Sequence, residues 1–151
     1  MRVALVEPEI PPNTGSVARL CAATETPLDL IGRLGFAIDD RHLRRAGLDY
    51  WPWVTVERHE SWAAFRDATA GRRLGFSARA ARVYTDVRFT PDDILVFGGE
   101  TRGLPESVRA ELAPELYRIP MTSLHVRSLN LANAVSIVLY EALRQLEAAR
   151  S

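Results

Sequence analysis

The chain has 151 residues, 47% hydrophobic and 25% charged, and its 19 basic and 19 acidic side chains leave no formal net charge. This length suits one domain, residues 1–151, with a core that needs no covalent staple, and the composition excludes wholesale disorder. Charge balance excludes a globally basic nucleic-acid binder, and a single cysteine, Cys21, excludes both a disulfide framework and a multi-cysteine metal centre.

Met1–Pro8 lacks the apolar stretch of a signal peptide, and no run is long and apolar enough to span a bilayer, so no membrane partner is expected and the cytoplasm is the expected address. Val3–Val6 reads as a buried strand, followed by a proline-rich turn, Glu7–Pro12, expected to be non-helical. Asn13 and Thr14 then serve as candidate caps for a helix over Ser16–Ala23, where Cys21 reads as a small buried hydrophobe. Strand candidates follow at Leu28–Ile31, Val54–Val56, Leu74–Ser77, Ile94–Phe97 and Leu116–Ile119. Between them come helix candidates from Asp39 or Asp40 through Arg45, over Ser61–Ala70, and over Pro105–Leu112. Ser128–Ala149 is the longest predicted helix, with Ser128 as its cap and Leu131, Val135, Val138, Leu139, Ala142, Leu143 and Leu146 forming an apolar stripe. Apolar strands alternating with helices predict an α/β domain with a mostly parallel sheet flanked by helices.

Three short segments carry the chemistry. Asn13–Arg19 puts an amide and a guanidinium near a helix start, which suits a phosphate or carboxylate and equally suits a capped helix with a solvated arginine. In Phe97–Pro105, a strand runs into Gly98, Gly99, Glu100 and Gly103; such a loop gives backbone access to a ligand, or is a tight turn with positive φ and Glu100 capping the next helix. Arg127–Ala134 carries Asn130 and Asn133 at the head of an apolar helix, amides that require partners in backbone or ligand. The glycine fingerprint of a dinucleotide-binding fold is absent after the first strand, which excludes an ordinary Rossmann site. His42, His59 and His125 lack metal-ligand spacing, so no metal is expected. Arg41, Arg44 and Arg45 form a local basic cluster, either a solvated face or a contact to phosphate backbone. Trp51 and Trp53 flank Pro52 and read as core or as a dimer contact, with base stacking as the alternative.

Taken together, the three segments resemble the SPOUT superfamily of RNA methyltransferases. Asn13, Gly15 and Arg19 match its first motif, Phe97, Gly98, Glu100, Gly103 and Leu104 its second, and Ser128, Leu129, Asn130 and Ala134 its third. Glu7–Gly15, Leu43–Tyr50 and Glu100–Pro105 are similar to the small single-domain tRNA wobble-position 2′-O-methyltransferases. The chain departs from that pattern at Ala132, where a serine is common, and in the loop over Thr122–Val126.

The resemblance implies an α/β-knot fold, with a deep C-terminal trefoil knot formed by the chain from about Phe97 onward. It implies S-adenosyl-L-methionine as cofactor, leaving as S-adenosyl-L-homocysteine, in a pocket lined by Phe76, Gly98, Ile119, Ser128, Leu129 and Asn130. Arg19 occupies the superfamily's catalytic arginine position, as a base or as a group that positions phosphate, while Asn13, Gly15, Glu100 and Tyr140 organise the site. The implied reaction is methylation of the ribose 2′-OH of the wobble cytidine or uridine of leucine tRNAs. The anticodon stem-loop would meet Arg19, Arg41, Arg44 and Arg45 across a homodimer whose interface is the C-terminal helix. The competing readings are a related enzyme acting on ribosomal RNA or another tRNA position, and a catalytically idle RNA-binding dimer.

Overall fold

The computed structural model describes residues 1–38 and 48–151, so the predicted helix from Asp39 or Asp40 to Arg45, with Arg41, Arg44 and Arg45, lies outside the described residues. Seven strands form one sheet in the order β3-β2-β1-β6-β4-β7-β5. They are β1 (Arg2–Val6), β2 (Leu28–Ile31), β3 (Val56–His59), β4 (Arg73–Phe76), β5 (Arg82–Val83), β6 (Ile94–Gly98) and β7 (Leu116–Arg118). Every neighbouring pair is parallel. The described helices are α1 (Pro11–Ala23), α2 (Trp62–Ala68), α3 (Glu106–Glu111) and α4 (Leu131–Arg150).

Successive side chains of a strand face opposite ways, so a strand covered on both sides must be apolar at every position. β1 shows this directly, with Val3, Ala4, Leu5 and Val6 all buried. Val3, Leu5, Leu28, Leu30, Leu74, Phe76, Leu95 and Phe97 pack on one face against Val17, Ala18 and Cys21 of α1 and Val135, Val138, Leu139 and Ala142 of α4. Ala4, Val6, Ile31, Ile94 and Val96 pack on the other against Phe65 of α2 and Val108 and Leu112 at α3. The predicted α/β arrangement, a mostly parallel sheet flanked by helices, is therefore the observed one. Burial pushes the Cys21 thiol up to about 12, in keeping with its place in the core.

Three local expectations are corrected. Pro11 and Pro12 do not lie in a non-helical turn but open α1, behind an extended Ile10; the first helical turn has no use for their missing N–H groups. β3 begins at Val56 rather than Val54, because the 3-10 turn over Leu48–Trp53 occupies the chain just before. The long helix starts at Leu131, capped by Asn130 rather than Ser128: the Asn130 side chain accepts the Asn133 N–H at 3.2 Å.

A half-buried ion pair fixes the entrance of β6. Asp93 is fully buried and accepts Arg72 Nε and Nη2 at 2.9 and 2.8 Å, with the Thr90 N–H and hydroxyl at 2.8 and 2.9 Å. Burial pushes the Asp93 carboxyl up, but the bonds from Arg72 and Thr90 outweigh it and hold the group below its ordinary value of 3.8. A lowered folded-state value means a contribution to stability that is full above 3.8 and lost as pH falls through the native value. Urea unfolding midpoints measured from pH 5 downward should therefore fall steeply for the wild type below about pH 4 and less steeply for Asp93→Asn. Parallel curves would remove Asp93 as a source of acid sensitivity.

Candidate active site

The C-terminal ends of β4, β6 and β7 open onto a cavity of about 990 Å³, closed by the start of α1, the loop after β6 and the loop before α4. Ligands of open α/β sheets bind at this edge, and the volume lies in the range of small-molecule and cofactor sites. Phe76, Phe97, Leu104, Ile119 and Leu131 give apolar walls, Gly98 and Gly99 bring main chain to the surface of the cavity, and Ser128 and Leu129 complete this part of the lining. Phe76 and Phe97 stack with centroids 5.0 Å apart, which fixes two of these walls against each other.

The three sequence segments meet here through one chain of hydrogen bonds. Glu100 accepts the main-chain N–H of Glu9 at 2.7 Å and of Ile10 at 3.1 Å, and the Asn13 amide at 3.3 Å. The Asn13 carbonyl accepts from the Asn130 amide at 2.9 Å, and Asn130 in turn caps α4. Glu9 returns the contact, accepting the Thr101 hydroxyl at 2.6 Å. Pro11 and Pro12 offer no N–H, and the Asn13 and Thr14 N–H groups bond the Ile10 carbonyl, so the donors left at the head of α1 are the Glu9 and Ile10 N–H groups, which turn to a distant carboxylate. A negative group there also faces the positive end of the helix dipole. Glu100 thus caps α1 and not the following helix, whose cap residue Pro105 receives no side-chain bond.

The glycines of the second segment act differently from the expectation. Only Gly103 has a positive φ, of 68°. A Cβ on Gly98 would meet Gly103 C at 2.0 Å and Leu104 N at 2.1 Å, and one on Gly99 would meet the Glu7 carbonyl oxygen at 2.5 Å. These two positions must be small because the loop folds back on its own strand and lies against the turn after β1.

Of the residues singled out in the sequence, Asn13, Phe76, Gly98, Glu100, Ile119, Ser128, Leu129 and Asn130 line the cavity. Gly15 is buried inside α1. Arg19 does not line the cavity; it is exposed, with its guanidinium 4.8 Å from the centroid of the Tyr50 ring. Six residues of helix advance about 9 Å and turn by about 240°, so Asn13 and Arg19 leave α1 in different directions. Tyr140 is 56% exposed on α4 and also lies outside the cavity. Sequence reasoning missed Ile10, Ser77–Arg79 and Arg109, and the signal available for the Ser77–Arg79 turn was its position just past a strand end. It also missed that Asp29 on β2 and Glu57 and His59 on β3 bring ligand-type atoms within 4.8 Å of one another. Arg2 donates to both carboxylates of that group, at 2.8 and 2.9 Å, and offsets part of their charge.

Residues 1–140 match the SpoU rRNA Methylase family. The chain belongs to that family. It is 46% identical over 145 residues to a tRNA (cytidine(34)-2′-O)-methyltransferase of Methylovorus glucosotrophus, covering 95% of this chain and 94% of the relative. A solved structure presented as structural insights into the 2-OH methylation of C/U34 on tRNA superposes with a TM-score of 0.92 at 48% identity, over 97% of this chain and 96% of that one. The SpoU methyltransferase AviRb from Streptomyces viridochromogenes, solved in complex with the cofactor AdoMet, superposes with a TM-score of 0.88 at 27% identity, over 98% of this chain and 61% of its own.

Replacing Glu100 by Gln keeps the shape but puts an NH₂ against an N–H donor. We expect a loss of about 1.5–3 kcal/mol, the usual worth of hydrogen bonds to a charged group, in urea denaturation at pH 7. An unchanged midpoint would mean that the tie between α1 and the loop after β6 carries no stability.

Proposed function

We propose that this chain is an S-adenosyl-L-methionine-dependent tRNA methyltransferase, acting on the ribose 2′-OH of the wobble cytidine or uridine, in leucine tRNAs. The observation that carries the reading is the joint assembly of the three motif segments around one cavity by the Glu100–Asn13–Asn130 chain. Identity near one half to a tRNA (cytidine(34)-2′-O)-methyltransferase, over almost the full length of both chains, supports it.

The cavity suits the cofactor in size and in its mix of aromatic walls and exposed main chain. Phe76, Gly98, Ile119, Ser128, Leu129 and Asn130 would hold it. When bound, it supplies a methyl group on a sulfonium, open to attack from the opposite side. Everything else is the work of the chain: to hold the ribose oxygen in line, and to help its proton leave. Positioning is the larger share of such a reaction. Arg19, with donors only and no acceptor, is suited to grip the phosphate beside the target ribose and aim the hydroxyl, and that phosphate can take up the proton. Stacking on Tyr50 steadies the guanidinium while leaving it exposed.

Arg19 and Tyr140 lie outside the cavity of their own chain. This favours a homodimer in which a second copy completes the site, with α4 at the interface, where Ile137 and Tyr140 present 37% and 56% of their surface. In this reading residues 1–151 form one domain. The sheet order supports the expected knot: β6 inserts between β1 and β4, and β7 between β4 and β5, so late chain runs between earlier strands. The described residues hold no helix long and apolar enough to cross a membrane, in keeping with a cytoplasmic enzyme on a soluble RNA.

Labelled methyl transfer to bulk tRNA, with nucleoside mapping, should give a 2′-O-methylated wobble nucleoside; label at another position or only in ribosomal RNA would replace this reading. Arg19→Ala should keep cofactor affinity and lose methylation by about a hundredfold or more, and near-normal turnover would remove Arg19 from the reaction. Light scattering should give twice the chain mass, whereas a fully active monomer would contradict the shared site.

A further inference from the structure

The arginines of this chain divide by what their guanidinium groups meet. Arg2, Arg66, Arg72 and Arg144 face carboxylates. Arg73, Arg82 and Arg118 donate to main-chain carbonyls, and Arg19 lies over Tyr50. Of the arginines without such a partner among the described residues, Arg58, Arg88 and Arg150 lie away from the cavity, while Arg79, Arg102, Arg109 and Arg127 all line it. They come from four segments: the turn after β4, the loop after β6, α3, and the loop before α4. The one carboxylate in the lining is Glu100, and its oxygens already accept from Glu9, Ile10 and Asn13.

A neutral chain has thus gathered four uncompensated guanidinium groups around one opening. The cofactor cannot account for them. It carries a single carboxylate to set against its own positive charges, and one arginine would satisfy it. Four forks in separate segments suit an anion with several charges spaced along it, and guanidinium matches phosphate in shape as well as charge.

We propose that Arg79, Arg102, Arg109 and Arg127 form the rim on which the phosphate backbone of the substrate RNA seats, flanking the nucleotide that enters the cavity. This rests on the reading of the chain as an RNA 2′-O-methyltransferase, and it adds a contact surface separate from Arg19. The rim gives affinity and register but no base preference, since phosphate contacts position and base contacts specify.

The test is binding of a fluorescently labelled tRNA across a salt series by the full-length protein. Arg79→Gln/Arg127→Gln and Arg102→Gln/Arg109→Gln are the two variants, and Arg58→Gln/Arg88→Gln, outside the cavity lining, is the control. Each lost phosphate contact lowers the slope of log affinity against log salt by about 0.7–0.9. Each rim variant should therefore have a slope shallower by about 1.4–1.8 and bind at least tenfold more weakly at low salt. Cofactor affinity by calorimetry should stay within twofold, and the control slope should not change. Unchanged slopes in both rim variants would overturn the proposal. So would an equal loss in the control, which would mean diffuse attraction, or a collapse of cofactor affinity, which would assign the guanidiniums to the cofactor. Steep salt dependence in the wild type, lost in the rim variants, would uphold the rim even if no methyl transfer to tRNA were found, so the two readings fail separately.

Discussion

One carboxylate holds the site together. Glu100 accepts from Glu9, Ile10 and Asn13, some ninety residues earlier in the chain, and Asn13 passes the contact on to Asn130. Without it the Glu9 and Ile10 N–H groups just before α1 would lose their acceptor. The three walls of the cavity belong to three distant parts of the sequence, and this carboxylate and the two amides are where they touch. Three donors already engage its two oxygens, which ties the group to the framework of the site.

The layers of the fold were legible because strands buried on both faces leave a plain mark. Val3–Val6 and Ile94–Phe97 are apolar at every position, and both lie at the centre of the sheet. Edge strands leave less: β5 is two residues long and paired only with β7, and nothing in Arg82–Val83 announces it. The misplaced start of α1 has a similar cause. Proline forbids a helix interior but favours a first turn, and only the supply of an acceptor from Glu100 decides between them. The cavity members named from motif resemblance came together, whereas the clasp between Glu9 and Thr101 carries no spacing signal, since it depends on the return of β6 to the side of β1.

Charge is organised locally rather than globally. Acidic and basic residues balance over the chain, yet the carboxylates are placed beside arginines that serve structure, as at Asp29 and Asp93. The arginines around the cavity are left without them. A chain can therefore be neutral overall and still present a strongly positive opening, because at physiological salt a charge is felt over only about 8 Å. Net charge is a poor guide to an anionic partner when the pairing is so uneven.

The same uneven pairing explains how β6 can serve as a rigid floor for the site. Its first turn is fixed by Asp93, which Arg72 and Thr90 hold from the side, while the Arg2 N–H binds the Asp93 carbonyl at 3.0 Å. Its far end is fixed by Glu100. Beside that end the chain turns sharply at Glu7, a non-glycine residue with φ of 52°, a conformation that costs about 1–2 kcal/mol. The turn lies against Gly99, where any side chain would strike the Glu7 carbonyl. The close approach of the chain just past the C-terminal ends of β1 and β6 thus goes with a strained residue after one strand and a bare one after the other. The hydrogen bonds of Glu100 and of Glu9 with Thr101 lie immediately beyond, and their combined worth exceeds the strain. The opening stays shaped because the cost of the turn and the bonds that offset it are within a few residues of each other.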